Sequence, residues 1–303
     1  MILVLDMNNL FWRAFHGLRS QDLRSSRGEP TWAVFGTLNT IAALVRRYEP
    51  EHVLLAWDGG RSKYRSEIYP DYKGNRLLKD KEPEVEFQLH LTTMIFSKFN
   101  LFQYSEEGVE ADDVIAEATY KFGSYSDMLI VSSDHDLRQT ITKRVEVLKP
   151  SLNVTRAKEE YFKYDEMVEY WGITPDRLPE IWALHGDSTD FIPGARGVGP
   201  KTAMALFKKY GSLDAILESG DKKIVDQEDI VRRAYELIKL KSGIARGNFS
   251  LDDLLFQPSG EESVSLMETL ARYSFDSVSQ RVRLNGLWRD LPMTGRKLVE
   301  EHE

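Results

Sequence analysis

Three short apolar runs in the first half of the chain each lead into aspartate. Ile2 to Leu5 is followed by Asp6, His52 to Trp57 by Asp58, and Met128 to Val131 by Asp134 and Asp136. Runs of this length with polar flanks predict strands buried on both faces, as in a parallel sheet covered by helices. Between the first two, Thr31 to Tyr48 carries Val34, Phe35, Leu38, Ile41, Ala42 and Val45 at helical spacing and closes with Arg46 and Arg47 before Pro50. That pattern predicts an amphipathic crossover helix. The expected class is α/β, a twisted, mainly parallel sheet flanked by helices. Side chains just past the carboxyl ends of such strands converge on one crevice, so acids far apart in sequence become neighbours.

Two more acidic groups belong to the same argument. Glu110, Asp112 and Asp113 precede Val114, Ile115 and Ala118 and so sit at a helix start, and Asp187 and Asp190 follow the segment from Trp182 to Gly186. Singly, each such acid is commonly a turn residue, a cap or a partner of the helix dipole. Nine carboxylates gathered in one crevice repel one another, and a fold does not gather them without divalent cations. The chain has no cysteine and no repeated histidine spacing. All-oxygen ligation points to hard ions, Mg²⁺ or Mn²⁺, and two of them suit two-metal hydrolysis of a phosphodiester. His16, His135 and His185 lie near these acids and are read as structural. Trp12, Trp32 and Trp171 are read as core or partner-facing residues.

Positive charge is concentrated. Gly60 to Lys81 holds Arg61, Lys63, Arg65, Lys73, Arg76, Lys79 and Lys81 against Glu67, Asp71 and Asp80, interleaved with Tyr64, Tyr69 and Tyr72. The pattern suits a surface that grips a nucleic-acid backbone and stacks on bases, with a solvated mixed-charge loop as the competing reading. Phe11 to Arg27 is a second basic stretch, with Arg13, Arg19, Arg24 and Arg27 against Asp22. A third runs from Phe191 to Ala203, where a Gly-rich turn stands directly before a helix. Gly197 and Gly199 expose backbone amides there, and Lys201 adds charge without reading sequence. Gly194 and Gly199 have the glycine spacing of a nucleotide-binding P-loop, but Pro200 stands where its lysine belongs and no strand is expected before it.

Val85 to Phe99 mixes strand-like alternation with a helix start at Pro83, and a helix is expected. Beyond about residue 150 no convincing strand is visible, and helices are expected over 177–184, 201–210 and 229–244. No segment approaches ~18 uninterrupted apolar residues, which disfavours membrane insertion, and the short apolar start does not read as a signal peptide. The absence of cysteine suits a reducing compartment, so a cytoplasmic protein is expected.

The stretches FWRAFHGL with SSRGEP, WDGGRSKYRSEIYPDYKGNR, EGVEADDVIAE, SSDHDLRQTI and GDSTDFIPGARGVGPKTA resemble, in order and spacing, those of the 5′-nuclease family. That family includes flap endonucleases, phage 5′ to 3′ exonucleases and the 5′-nuclease domain of bacterial DNA polymerase I. The likeness covers residues 1 to about 250. It implies a PIN-like catalytic core over 1–165 with a helical arch near 74–91, and a helical DNA-binding subdomain of helix-hairpin-helix type over 166–303 with its hairpin at 191–203. It implies a monomeric, metal-dependent nuclease cutting DNA near a 5′ single-strand/duplex junction in replication or primer removal, with RNA/DNA hybrid as a further substrate. No polymerase region follows, so the nuclease reads as free-standing.

By position, Asp6, Asp58, Glu110, Asp112 and Asp113 resemble the ligands around one ion, with Asp113 there or just behind it. Asp134, Asp136, Asp187 and Asp190 resemble those towards the second. Lys73 and Arg76 resemble the cations that meet the scissile phosphate at the base of the arch and act in catalysis with Asp134, while Tyr72 packs or stacks beside them. Arg13, Arg65, Gly197, Gly199, Lys201 and Thr202 are the further expected DNA contacts, and a potassium ion is a possible occupant of the hairpin. Phe191 departs from the pattern, because polymerase-associated relatives commonly have Asn there. The alternatives are 5′ to 3′ RNase H-type removal of RNA primers and a non-catalytic DNA-binding relative, yet a binding module gains nothing from anionic groups facing phosphates. A small-molecule phosphatase has no use for such long basic segments. The net charge of -8 looks unfavourable for a nucleic-acid partner, but the nine candidate ligands outnumber that excess of acid.

Overall fold

The computed structural model describes residues 1–74, 82–97, 101–150, 159–221, 224, 226–256 and 299–301. Its first part alternates strand and helix: β1 (Ile2–Asp6), α1 (Met7–Leu18), α2 (Trp32–Tyr48), β2 (His52–Ala56), α3 (Lys63–Ile68), α4 (Pro83–Phe96), β3 (Phe102–Glu106), α5 (Ala111–Phe122), β4 (Met128–Val131), β5 (Val145–Lys149) and β6 (Glu160–Phe162). The second part is largely helical: α6 (Tyr164–Trp171), α7 (Leu178–His185), the two-residue pair β7 (Gly186–Asp187) and β8 (Ile192–Pro193), α8 (Pro200–Tyr210), α9 (Leu213–Leu217) and α10 (Glu228–Ile238). A last strand, β9 (Val299–Glu301), joins the sheet. No helix among the described residues is long and apolar enough to cross a membrane.

The sheet runs β6-β5-β4-β1-β2-β3-β9, and every pairing is parallel except that of β5 with β6. From β1 the chain winds outward through β2 and β3 and then returns to place β4 on the other side. The order reverses between β1 and β4, which is where open α/β sheets bind their ligands. The central strand is buried along its whole length. Leu3, Leu5, Val53, Leu55, Leu129 and Val131 face one layer with α2 and α4, whereas Ile2, Val4, Leu54, Ala56, Met128 and Ile130 face the other with α5. Strand residues alternate between faces, so near-continuous apolar runs are what two covered faces demand.

The expected strands coincide with β1, β2 and β4, and the expected crossover helix with α2. Strands β3 and β5 escaped the sequence reading: Phe102–Glu106 mixes polar and apolar residues without turn punctuation, and Val145–Lys149 is short and partly charged. Strand β6 also lies in the stretch where none was expected. The helix expected over 229–244 stops at Ile238 because a side chain takes over its end. Buried Gln139 donates to the Ile238 carbonyl at 3.1 Å and accepts from the Leu240 amide at 2.9 Å. The following turn is held by Glu117, which accepts from the Gly243 amide and the Ser242 hydroxyl at 2.8 and 2.9 Å.

Directly after Asp58, the chain passes against the end of β3. The Gly59 amide donates to the Val109 carbonyl at 2.8 Å and its carbonyl accepts from the Gly108 amide at 2.7 Å. A Cβ on Gly59 would lie 1.7 Å from the Glu106 carbonyl oxygen, which is backbone and cannot rotate away. Gly59→Ala is therefore expected to cost about 1–3 kcal/mol in urea unfolding, and an unchanged midpoint would contradict this packing.

Candidate metal centre

The register of the sheet assembles the site. Asp6 ends β1 opposite Ala56, so Asp58 lies just beyond the neighbouring strand end, and on the other side Leu5 pairs with Val131, just ahead of Asp134. Asp6 caps α1 by accepting from the Asn9 amide at 3.0 Å, and its other oxygen accepts from the Ser132 hydroxyl at 2.7 Å. Asp58 accepts from the Ala111 amide at 2.8 Å, while its own amide donates to Asn8 at 2.9 Å. The Asn9 side chain in turn accepts from Ser133. Hence Asn8, Asn9 and Ser132, which sequence reasoning passed over, hold the three strand ends together. Asn8 and Asn9 lie two and three residues after Asp6, which is the one signal that could have marked them.

Electrostatics shows which acids converge. Burial, then Asp58 and Asp134, push Asp6 up from 3.8 to about 7. Asp112 is held well above the usual carboxylate range by burial together with Asp134 and Asp6. Asp136 is raised in the same way by burial and by Asp134, Asp187 and Asp190. Asp134 thus borders both halves of the cluster, where the sequence placed it only towards the second. Asp187 turns the chain by accepting from the Thr189 amide at 2.7 Å. Asp6, Asp58, Glu110, Asp112 and Asp134 open into a crevice of about 1440 Å³ lined also by Trp12, Phe15 and His16 of α1 and by Val85, Phe87 and Leu89 of α4.

Two cations oppose the repulsion. Lys73 donates to Glu110 at 2.8 Å and stands 3.4 Å from Asp190, while its amide binds the Asp190 carbonyl at 3.0 Å. Burial alone would raise Glu110, yet Lys73 and Arg65 outweigh it and hold its pKa below the usual value. The Tyr72 hydroxyl donates to Glu110 at 2.9 Å.

Several expected roles change. Asp113 faces away from the crevice, with both carboxylate oxygens taken by Arg65 at 2.6 and 2.8 Å, so it anchors Arg65 and is not placed among the metal-facing acids. Arg65 itself is 3% exposed and reaches the Leu237 carbonyl of α10 at 2.9 Å, which removes it from the expected DNA contacts. Tyr72 is buried as well and joins the apolar cluster of α7, α8 and α10. Tyr64 bonds Glu236, and Tyr69 lies under Arg233, so these tyrosines dock the second part of the chain onto the first. In the other basic stretch, Arg13 donates to the Pro150 carbonyl, and Arg19 and Arg24 pair with acids near the start of α4. Gly197, Gly199, Lys201 and Thr202 are exposed at the start of α8, preceded by the two-residue strand β8 that the sequence did not reveal. Phe191 is 48% exposed with φ +61, in the left-handed region where Asn is tolerated better than Phe. Arg76 and most of the expected arch before Pro83 lie outside the described residues.

The donor set fits hard divalent cations: carboxylate oxygens fixed by hydrogen bonds, with three acids whose ionised form is disfavoured by burial and by neighbouring carboxylates. Arg65→Ala would leave Asp113 charged and buried and is expected to cost about 3–5 kcal/mol in urea unfolding; a loss below about 1 kcal/mol would contradict the pairing. The raised carboxyls also set a pH dependence. The metal-free fold retains a proton on Asp6 that the unfolded chain releases near 3.8, so it loses stability as pH rises from there through about 7. A divalent ion relieves that loss, by about 2.7 kcal/mol at a hundredfold excess over Kd. The difference in Tm between metal-loaded and EDTA-treated protein should therefore widen as pH rises from about 5 to 8, reaching roughly 5 °C or more. A difference that is constant or shrinks would contradict the cluster.

The 5′-3′ exonuclease N-terminal resolvase-like domain matches residues 1–172, and the 5′-3′ exonuclease C-terminal SAM fold matches residues 173–262. A 5′-3′ exonuclease of Aquifex aeolicus is 32% identical over 244 residues, spanning 78% of this chain and 80% of its own. DNA polymerase I of Chloroflexus aurantiacus is 34% identical over 249 residues, 81% of this chain, but the match spans only 26% of the polymerase. Among solved structures, a T5 5′-exonuclease with divalent zinc ions bound has a TM-score of 0.62 at 20% identity, covering 95% of this chain and 98% of that one. Flap endonuclease-1 from Methanococcus jannaschii gives 0.60 at 19% identity, covering 95% and 91%. At those identities the structural likeness speaks for the fold alone.

Proposed function

This chain belongs to the 5′-3′ exonuclease family, and we propose that it is a structure-specific 5′-nuclease hydrolysing DNA phosphodiesters near 5′ single-strand/duplex junctions, in replication or primer removal. The observation that carries the reading is the convergence of Asp6, Asp58, Asp112 and Asp134 at the β1/β4 reversal, in a crevice with Lys73 on its lining and Asp136 close behind Asp134. A structure built only to bind DNA would not assemble uncompensated carboxylates where phosphates must approach.

Asp6, Asp58, Glu110, Asp112, Asp134, Asp136, Asp187 and Asp190 would hold two hard divalent ions, Mg²⁺ or Mn²⁺. Such ions neutralise phosphate charge and make water nucleophilic near neutral pH. The protein supplies the rest. Ser132, Asn8, Asn9 and the Ala111 amide keep the carboxylates oriented before substrate arrives. Lys73 offsets the acids and presents an ammonium to a phosphate that enters between them. The apolar walls from α1 and α4 suit the sugar and base faces of a single strand. The exposed start of α8, with Gly197, Gly199, Lys201 and Thr202, offers backbone amides and positive charge to duplex phosphates without reading sequence.

A labelled 5′-flap duplex tests the proposal. Cleavage in Mg²⁺ or Mn²⁺ is expected to vanish in EDTA and to fall at least roughly 100-fold in Asp134→Asn, a loss typical of removing charge stabilisation from the reacting centre. Equal cutting under all three conditions would overturn it.

A further inference from the structure

Between Asp134 and Asp136 stands an imidazole. His135 is 46% exposed, so it is open to solvent and to ions. Its Nε2 lies 3.3 Å from Asp136 Oδ1 and 3.8 Å from Asp187 Oδ2, and its Nδ1 lies 3.8 Å from Asp134 Oδ1. Asp134, His135 and Asp136 can each offer one donor atom, all within 4.8 Å of one another. The ring meets Trp182 edge-on at 5.2 Å, which limits how far it can swing. In octahedral coordination with bonds of about 2.1 Å, neighbouring donors sit about 3 Å apart. The Nε2 separation from Asp136 is close to that value, and the Asp187 Oδ2, at 3.8 Å, is the other carboxylate oxygen facing the same nitrogen.

We propose that His135 Nε2 is a nitrogen ligand of the second metal position, completing a set with Asp136 and Asp187 that favours Mn²⁺, Co²⁺ or Zn²⁺ over Mg²⁺. The inference rests on the metal-centre reading and deepens it, because carboxylates alone suit Mg²⁺, whereas imidazole adds affinity for first-row transition ions and little for Mg²⁺. Imidazole ligates through whichever ring nitrogen is unprotonated. Here Nε2 is the one directed at the Asp136–Asp187 side, while Nδ1 faces Asp134.

The test uses the full chain, stripped with EDTA and reloaded with Mn²⁺. Pulsed electron paramagnetic resonance should show nitrogen modulation from a directly bound imidazole in the wild type, and none in His135→Gln. In parallel, Co²⁺ affinity should fall roughly tenfold or more in His135→Gln, while Mg²⁺ affinity changes less than about twofold. Bound Mn²⁺ without nitrogen modulation in the wild type, or equal losses for Co²⁺ and Mg²⁺, would overturn the assignment and leave the carboxylate centre standing. Asp136→Asn separates the two levels. It should abolish binding at this position, and Mn²⁺ binding that is absent from the wild type or untouched by Asp136→Asn would overturn both.

Discussion

Everything at the head of this sheet answers to the repulsion between carboxylates placed side by side. The parallel register brings Asp6, Asp58 and the Asp134 loop to one end of three adjacent strands, and burial then makes each additional charge harder to carry. Three devices keep the arrangement folded without metal. Hydrogen-bond donors from Ser132, Asn9 and Ala111 hold individual oxygens. Lys73 neutralises Glu110 and reaches Asp190. Burial and neighbouring carboxylates favour the neutral form of Asp6, Asp112 and Asp136, whose pKa values are all pushed upward.

The same contacts join the two parts of the chain. Tyr72 and Lys73 belong to the segment after β2, yet they bind Asp190 beyond α7 and pack with the helical part. Arg65 links Asp113 of α5 to the end of α10. The same side chains therefore serve both the acid cluster and the packing of the helical part against the sheet. A loosened interface would move Asp187 and Asp190 relative to Asp134 and Asp136, so the geometry of the acid cluster depends on that interface.

Burial divides the positive charge into two populations that look alike in sequence. Arg65 and Lys201 both lie in basic, aromatic-flanked stretches, but Arg65 has two carboxylates within reach and is buried, whereas Lys201 stands in the exposed first turn of α8. An arginine presents a planar fork that satisfies a buried carboxylate through two bonds, which suits it to the internal position. The tyrosines of the same stretch follow it inward. The reading of that stretch as a DNA-facing surface fails for Arg65 and Tyr72 for this reason: a basic and aromatic composition is also what a buried ion-pair joint between two units requires.

The central strands β1, β2 and β4 and the acids at their ends are legible in the order of residues. Apolar runs such as Ile2 to Leu5 have one favourable fate, burial on both faces, and an aspartate directly behind such a run falls at the ligand-binding end of a parallel sheet. Local pattern carries that much because strand periodicity and helix starts are local properties. It could not carry β3 and β5, whose mixed composition becomes strand only when neighbours supply the hydrogen bonds, nor the stop of α10 at Ile238, set by Gln139 a hundred residues away. Tertiary contacts assign Asp113 to Arg65, Tyr72 to Glu110, and a nitrogen of His135 to Asp136 and Asp187. Those assignments depend on which side chains meet across the crevice, and distance in space is not written in the order of residues along the chain.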